Sequence, residues 1–216
     1  MKKKTVLLVS VIAMLGIFAA AAWWFQSRQS ERIGTIATEH SSTLVPDHAM
    51  RVGPKGARVV LVEFFDPACE TCASFHRPVK ELIAAHPDKV LHVLRYAPFH
   101  HGSEVPVKIL EAARRQNKYW ETLELLFFSQ RRWTSHHKVK SELIWPLLPD
   151  IGLDVERIRT DMRDPALDAL IKQDLADAAT LGIRKTPGFL VNGKPLPSFG
   201  LKQLKDLIES EIEANY

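Results

Sequence analysis

The stretch Val59-Val60-Leu61-Val62-Glu63-Phe64-Phe65-Asp66-Pro67-Ala68-Cys69-Glu70-Thr71-Cys72 passes from an apolar, β-branched run through a turn to two cysteines separated by two residues. The run is apolar at both even and odd positions, which a strand with one face in water cannot be. It reads as a buried central strand. Asp66-Pro67 ends it, and residues 70–86 then place Phe75, Val79, Leu82 and Ile83 at helical spacing. Pro78 inside that helix is expected to bend it. Val90–Tyr96 supplies a second buried strand. Strand, helix, strand is the βαβ unit, which implies a parallel pair.

Moving outward, a turn signal at 53–56 precedes the first strand, and the folded body is expected to span 46–216. From about 103 to 181 long amphipathic runs with few glycines and no convincing strand indicate a helical insertion. Breaks at 116–118, 131–138, 146–149 and Asp164-Pro165 divide it into four or five helices. Its aromatic residues Trp120, Phe127, Phe128, Trp133 and Trp145 read mostly as core and helix-packing side chains. Short strands return at Gly188–Val191 and 194–196, joined by Asn192-Gly193, a two-residue hairpin signal. A closing helix turns Leu201, Leu204, Ile208 and Ile212 toward the sheet. The fold class is α/β, with the helical insertion between a βαβ half and a ββα half.

The net charge of +4 is concentrated at one end: Lys2, Lys3 and Lys4 carry three of those charges, and residues 26–216 are left at +1. So balanced a body offers no field for a polyanion, and the pairs Arg114/Arg115 and Arg131/Arg132 lack interleaved aromatics. They read as solvated helix faces, and nucleic-acid binding is excluded as a reading. Residues 5–25 contain no charged side chain and are long enough to span a bilayer. Lysines ahead of that run favour export of the chain beyond Phe25, with Trp23, Trp24 and Phe25 placed as an interfacial belt. The segment is expected to be a retained membrane anchor, or alternatively a signal peptide cleaved after the small residues Ala20 to Ala22. Residues 26–45, polar and without apolar period, read as a tether.

Cys69 and Cys72 are the only cysteines, and they stand directly after a buried strand at the start of a helix. Unpaired N–H groups at a helix amino terminus stabilise a thiolate, so Cys69 is the attacking sulfur and Cys72, one turn deeper, the resolving one. Three other uses of such a pair compete. Zinc needs two further ligands, and no second CxxC or spaced Cys/His pair is present; His100/His101 and His136/His137 are adjacent pairs whose side chains point apart. A structural disulfide closing so short a loop contributes little cross-linking entropy. A copper dithiol would want a methionine or histidine cluster. Redox chemistry in an oxidising compartment is the expectation.

The segment 62–72 together with Thr186-Pro187-Gly188-Phe189-Leu190-Val191-Asn192-Gly193 resembles the DsbA-like branch of the thioredoxin superfamily, over residues 46–214. The resemblance implies a thioredoxin fold and a cis Pro187 beside the CxxC, where Thr186-Pro187 docks an extended substrate strand. It also implies a buried carboxylate at Glu63, six residues before Cys69, relaying protons to and from Cys72. Arg95, on the next strand, is the expected charge partner of Glu63. Strong oxidants of the family carry Pro-His between their cysteines, whereas this chain has Glu70-Thr71, two residues expected to tune the pair toward weaker oxidation.

These readings converge on an extracytoplasmic dithiol–disulfide exchanger, acting as an oxidant on exported proteins, with no metal or organic cofactor. A membrane redox partner would regenerate the pair. Reductase or isomerase activity on the same fold is the alternative within the class, and a non-enzymatic chaperone or metal-delivery module is the alternative outside it.

Overall fold

The computed structural model describes residues 8–9, 11–22, 24, 41–135 and 138–216. Its strands are β1 (Met50–Val52), β2 (Val59–Phe65), β3 (Val90–Tyr96), β4 (Thr134–Ser135), β5 (Lys138–Val139), β6 (Gly188–Val191) and β7 (Lys194–Pro195). Its helices beyond residue 40 are α1 (Ser41–Leu44), α2 (Glu70–Ala84), α3 (Glu104–Arg114), α4 (Tyr119–Trp133), α5 (Val155–Asp161), α6 (Pro165–Thr180) and α7 (Leu201–Asn215). Five strands form one sheet in the order β1-β3-β2-β6-β7, so the apolar run 59–65 lies in the middle. β2 and β3 are parallel, joined by the crossover helix α2, and the other pairs are antiparallel. At the β6–β7 turn Asn192 (φ 48°) and Gly193 (φ 78°) are both left-handed, as a two-residue hairpin of this twist requires.

The register decides which chemistry lies on which side. Val59 faces Val90 and Phe65 faces Tyr96 across the parallel pair, so Leu61, Glu63 and Phe65 share a face with His92, Leu94 and Tyr96. That face is covered by α2 and α7 through Val79, Ile83, Leu204 and Ile208, and further along by α3 and α4. Val62, Phe64, Val93 and Leu190 look the other way, onto Leu44, Ala178 and Leu181.

Arg95 belongs to this second face, which corrects its expected pairing with Glu63: one residue of parity separates them. Arg95 is fully buried, and its guanidinium meets Asp174 (Nε–Oδ1 2.8 Å), Asp177 and the Thr43 carbonyl. Asp174 also accepts from the Tyr96 N–H at 2.7 Å and contacts His48 Nε2 at 2.7 Å. At the end of the expected tether, Leu44 is buried in the second-face core and the Thr43 carbonyl meets Arg95.

Between β3 and β6 the chain is helical apart from the β4–β5 ribbon. The expected break at 146–149 is itself a 3-10 turn, Trp145–Ile151, ended by Gly152 at φ 74°. Asp154 and Asp164 cap α5 and α6, each accepting a first-turn N–H, with Pro165 in the first turn of α6. Trp133 is fully buried and Trp120, Phe127 and Trp145 are partly so, but Phe128 is 94% exposed. Leu123, Leu126, Gln130 and Trp133 form the inward stripe of α4, and position 128 falls on the opposite side of the helix.

The expected anchor at 5–25 lies partly outside the described residues, as do most of the tether and the pair His136/His137. Residues 8–9, 11–22 and 24 are helical, and among the described residues no helix is long and apolar enough to cross a membrane.

Replacing Arg95 by Leu strands two buried carboxylates. Arg95→Leu is expected to lower unfolding stability by about 3–5 kcal/mol in urea titrations. The triple variant Arg95→Leu, Asp174→Asn, Asp177→Asn should regain a large part of that loss, since no buried charge is then left unpaired.

Candidate active site

The end of β2 is held by a single carboxylate. Asp66 is fully buried; its Oδ1 accepts from the Ala68 N–H at 2.8 Å and its Oδ2 from the His100 N–H at 2.9 Å and the Ser103 hydroxyl at 3.1 Å. His100 Nδ1 lies 2.7 Å from the same oxygen. From the helical insertion, the Gln130 amide donates to the carbonyls of Pro67 (2.8 Å) and Cys69 (3.0 Å). The loop 66–69 is therefore pinned from both sides, and it delivers Cys69 as the N-cap of α2 with an extended backbone (φ −78°, ψ 118°).

At that cap Cys69 Sγ accepts from the Cys72 N–H at 3.4 Å and lies 3.2 Å from the Thr186 carbonyl oxygen. The Thr186–Pro187 peptide is cis. Both cysteines are free thiols. The structure thus brings Cys69, Cys72, Thr186 and Pro187 together, with Glu70 and Thr71 exposed at the rim.

The two sulfurs have opposite electrostatics. Cys69 is lowered from 9.0 to about 5, first by the hydrogen bond from the Cys72 thiol, against which burial works, then by a side-chain hydrogen bond with Thr186 and by the N–H groups of Cys72 and Thr71. Cys72 has no exposed surface, and burial together with the neighbouring Cys69 charge pushes it well above its ordinary value. Glu63 adds to that upward push, so its charge acts on Cys72. The imidazole of His100 is raised by its hydrogen bond to Asp66, against burial, with the negative charges of Cys69 and Glu70 contributing.

Glu63 is 5% exposed, and its partner is His92: Nε2 and Oε2 are 2.9 Å apart. Among the described residues no group of three or more His, Cys, Asp or Glu side chains is placed to hold a metal ion. Asp66, His100, Ser103 and Gln130 carry no such role in the sequence pattern, where Asp66 reads only as a strand terminator. A signal for Asp66 exists in its position between an apolar strand and a cysteine-bearing helix, where an acid can serve loop N–H groups.

A pKa near 5 for Cys69 sets an experiment in two parts. Thiolate absorbance of the reduced protein should titrate with a midpoint of about 5, and in Cys72→Ala the midpoint should rise because its main donor is gone. The folded pKa is depressed, so reduced-state stabilisation is complete above the unfolded value of 9.0 and disappears as pH falls through about 5. Reduced minus oxidised stability, measured in urea, should accordingly grow between those limits.

A family model described as thioredoxin matches residues 46–210. Among solved structures, a thioredoxin-like oxidoreductase from Silicibacter pomeroyi has a TM-score of 0.67 and 31% identity, covering 78% of this chain and 95% of that one. The thiol-disulfide exchange protein alpha-DsbA2 from Wolbachia pipientis has a TM-score of 0.70 at 19% identity, covering 85% of this chain and 97% of that one, a likeness of fold. Among curated proteins, the Na(+)/H(+) antiporter NhaA of Herminiimonas arsenicoxydans is 29% identical over 194 residues, 87% of this chain and 30% of that protein. The chain thus spans less than a third of the length of the curated relatives it matches. With the matched model covering most of its length, the chain belongs to the thioredoxin family, and its fold is that of the DsbA-like thiol–disulfide oxidoreductases.

Proposed function

We propose that this thiol–disulfide oxidoreductase works outside the cytoplasm and oxidises the thiols of exported proteins. The observation that carries the reading is the asymmetry of the two sulfurs: Cys69 is held at about 5 and Cys72 well above its ordinary value. A stabilised Cys69 thiolate stabilises the reduced enzyme, and a pair that is stable when reduced is an oxidant.

In the forward direction a substrate thiolate attacks Cys69 Sγ of the oxidised pair. The Cys69–Cys72 bond breaks, and Cys72 leaves as a thiolate that takes a proton from Glu63. The second substrate thiolate then attacks the substrate sulfur of the mixed disulfide, forming the substrate disulfide and releasing Cys69 as its stabilised thiolate. Two electrons have passed to the enzyme, and a membrane redox partner removes them. Thr186 and Pro187, beside Cys69 Sγ, dock the substrate backbone. Glu70 and Thr71 supply no positive charge between the sulfurs, which favours a potential short of the strongest oxidants. The lysines and uncharged run of residues 1–25 support export, through either a retained or a cleaved segment.

The match to part of proteins named as antiporters favours a second setting for the same chemistry, in which the substrate is itself a membrane protein. Reduction or isomerisation is the competing direction.

Equilibration with glutathione, alkylation and mass analysis decides the direction. The expected potential lies between about −270 mV, typical of thioredoxin, and about −120 mV, typical of DsbA. A value at or below the thioredoxin end would overturn oxidation in favour of reduction. Cys72→Ser should accumulate mixed disulfides through Cys69, and Cys69→Ser should not; equal trapping would reverse the assigned roles. The trapped proteins separate exported soluble substrates from a membrane partner.

A further inference from the structure

Every turnover moves one proton at Cys72, a sulfur with no exposed surface. While the mixed disulfide exists, substrate covers Cys69 and the Thr186–Pro187 face, so the proton must travel another way. Beside Glu63, α2, α4, β3 and the loop after β1 border a cavity of about 490 Å³. Glu63 and His92, both buried, form its inner wall; Leu94, Trp120 and Ile83 make it apolar. A surface depression lined by Arg77 and Glu81 shares His76, Lys80, Ala84 and Glu124 with the cavity and so opens it to solvent, where Lys80 and Glu124 are ion-paired. Cys69, Cys72, Thr186 and Pro187 line neither space, so Glu63 is the link between the cavity and Cys72.

His76 stands between the two ends. Its Nε2 is shielded from solvent and has no hydrogen-bond partner, while its ring rests 5.0 Å from that of Phe127. His76 borders both spaces, and a cavity of this size has room for water beside the ring. Burial lowers its pKa; Glu63 and Glu124 pull upward and Lys80 and His92 downward. A neutral imidazole of this kind passes a proton on and does not retain it.

We propose that this cavity is the proton route of the Cys72 step, in which Glu63 exchanges its proton with solvent through His92, His76 and the mouth at Lys80 and Glu124. The proposal rests on the reading of Glu63 as the relay. In the oxidising direction the Cys72 thiolate takes the Glu63 proton, leaving a carboxylate and a thiol; a proton from bulk water then returns to Glu63 along the cavity. In the reverse direction each transfer runs backwards. No electron moves in these steps. His76 acts on Cys72 only through Glu63.

The test follows the full-length protein carrying glutathione on Cys69 as Cys72 resolves it, by acid quench and alkylation, across pH 5–9. His76→Leu is expected to slow resolution by about tenfold near neutral pH and to change the pH profile. Alkylation of the free Cys69 thiolate should be unaffected. Glu63→Gln should slow resolution at least as much, and the double variant no more than Glu63→Gln alone. Imidazole, small enough for the cavity, should restore His76→Ala but not Glu63→Gln. Ala84→Phe, at an exposed position on the mouth, should slow resolution without removing a titratable group, which keeps the test decisive if the His76 variants fold poorly. Wild-type rates in the His76 and Ala84 variants beside a slow Glu63→Gln would overturn the route and leave the relay standing. A wild-type rate in Glu63→Gln would overturn both.

Discussion

A sulfur anion at neutral pH has to find its hydrogen-bond donors already in position, and the first turn of α2 is where this protein keeps them. The Cys72 and Thr71 N–H groups and the Cys72 thiol converge on Cys69, and none of them can serve if the helix end shifts. Its position is set from outside the helix. Asp66 gathers the backbone of Ala68 and His100 and the hydroxyl of Ser103, so the loop after β2 and the loop after β3 become one unit. Gln130 reaches over from α4 to the carbonyls of Pro67 and Cys69. The helical insertion is therefore part of the redox centre's scaffold, and the acidity of Cys69 is a property of the whole arrangement.

The sheet separates two buried ionic clusters that one residue of register would have mixed. On the face away from the sulfurs, Arg95 is fully enclosed and served by Asp174, Asp177 and the Thr43 carbonyl, with Asp174 further engaged by Tyr96 and His48. Those contacts join the segment before β1 to α6 and to the central sheet. They fix structure and do not border the cavity beside Glu63. On the other face Glu63 has His92 as its partner and open space beside it. Glu63 is thus held by one neighbour, where Arg95 is held by a set of fixed pairs.

How much of this is legible in the sequence depends on the reach of each signal. The central strand, the crossover helix, the hairpin at Asn192-Gly193 and the caps at Asp164-Pro165 are local, and each is written in a few consecutive residues. The spacing of Cys69 and Cys72 is local too, and it locates the site. Glu63 stands out because an acid interrupts an apolar strand. Its partner does not, because pairing depends on the β2–β3 register, which puts His92 and not Arg95 on its face. Phe128 departs from the expected core because it falls on the side of α4 opposite the stripe of Leu123, Leu126, Gln130 and Trp133. Asp66 and His100 meet across 34 residues and Gln130 and Pro67 across 63, and no local pattern announces such contacts.

One helix borders both the sulfur pair and the cavity. The amino terminus of α2 holds the sulfur that meets substrate, and the flank of the same helix, through His76, Lys80 and Ala84, walls the space beside Glu63. Packing α4 against α2 contributes to each half, through Gln130 at the sulfur end and Trp120 and Glu124 at the cavity. The sulfur pair and the space beside Glu63 thereby lie at the end and on the flank of one helix. Without the insertion, the first turn of α2 would lose Gln130 and the cavity would lose its α4 wall, so the helical segment between β3 and β6 shapes both the sulfur end of α2 and the space beside Glu63.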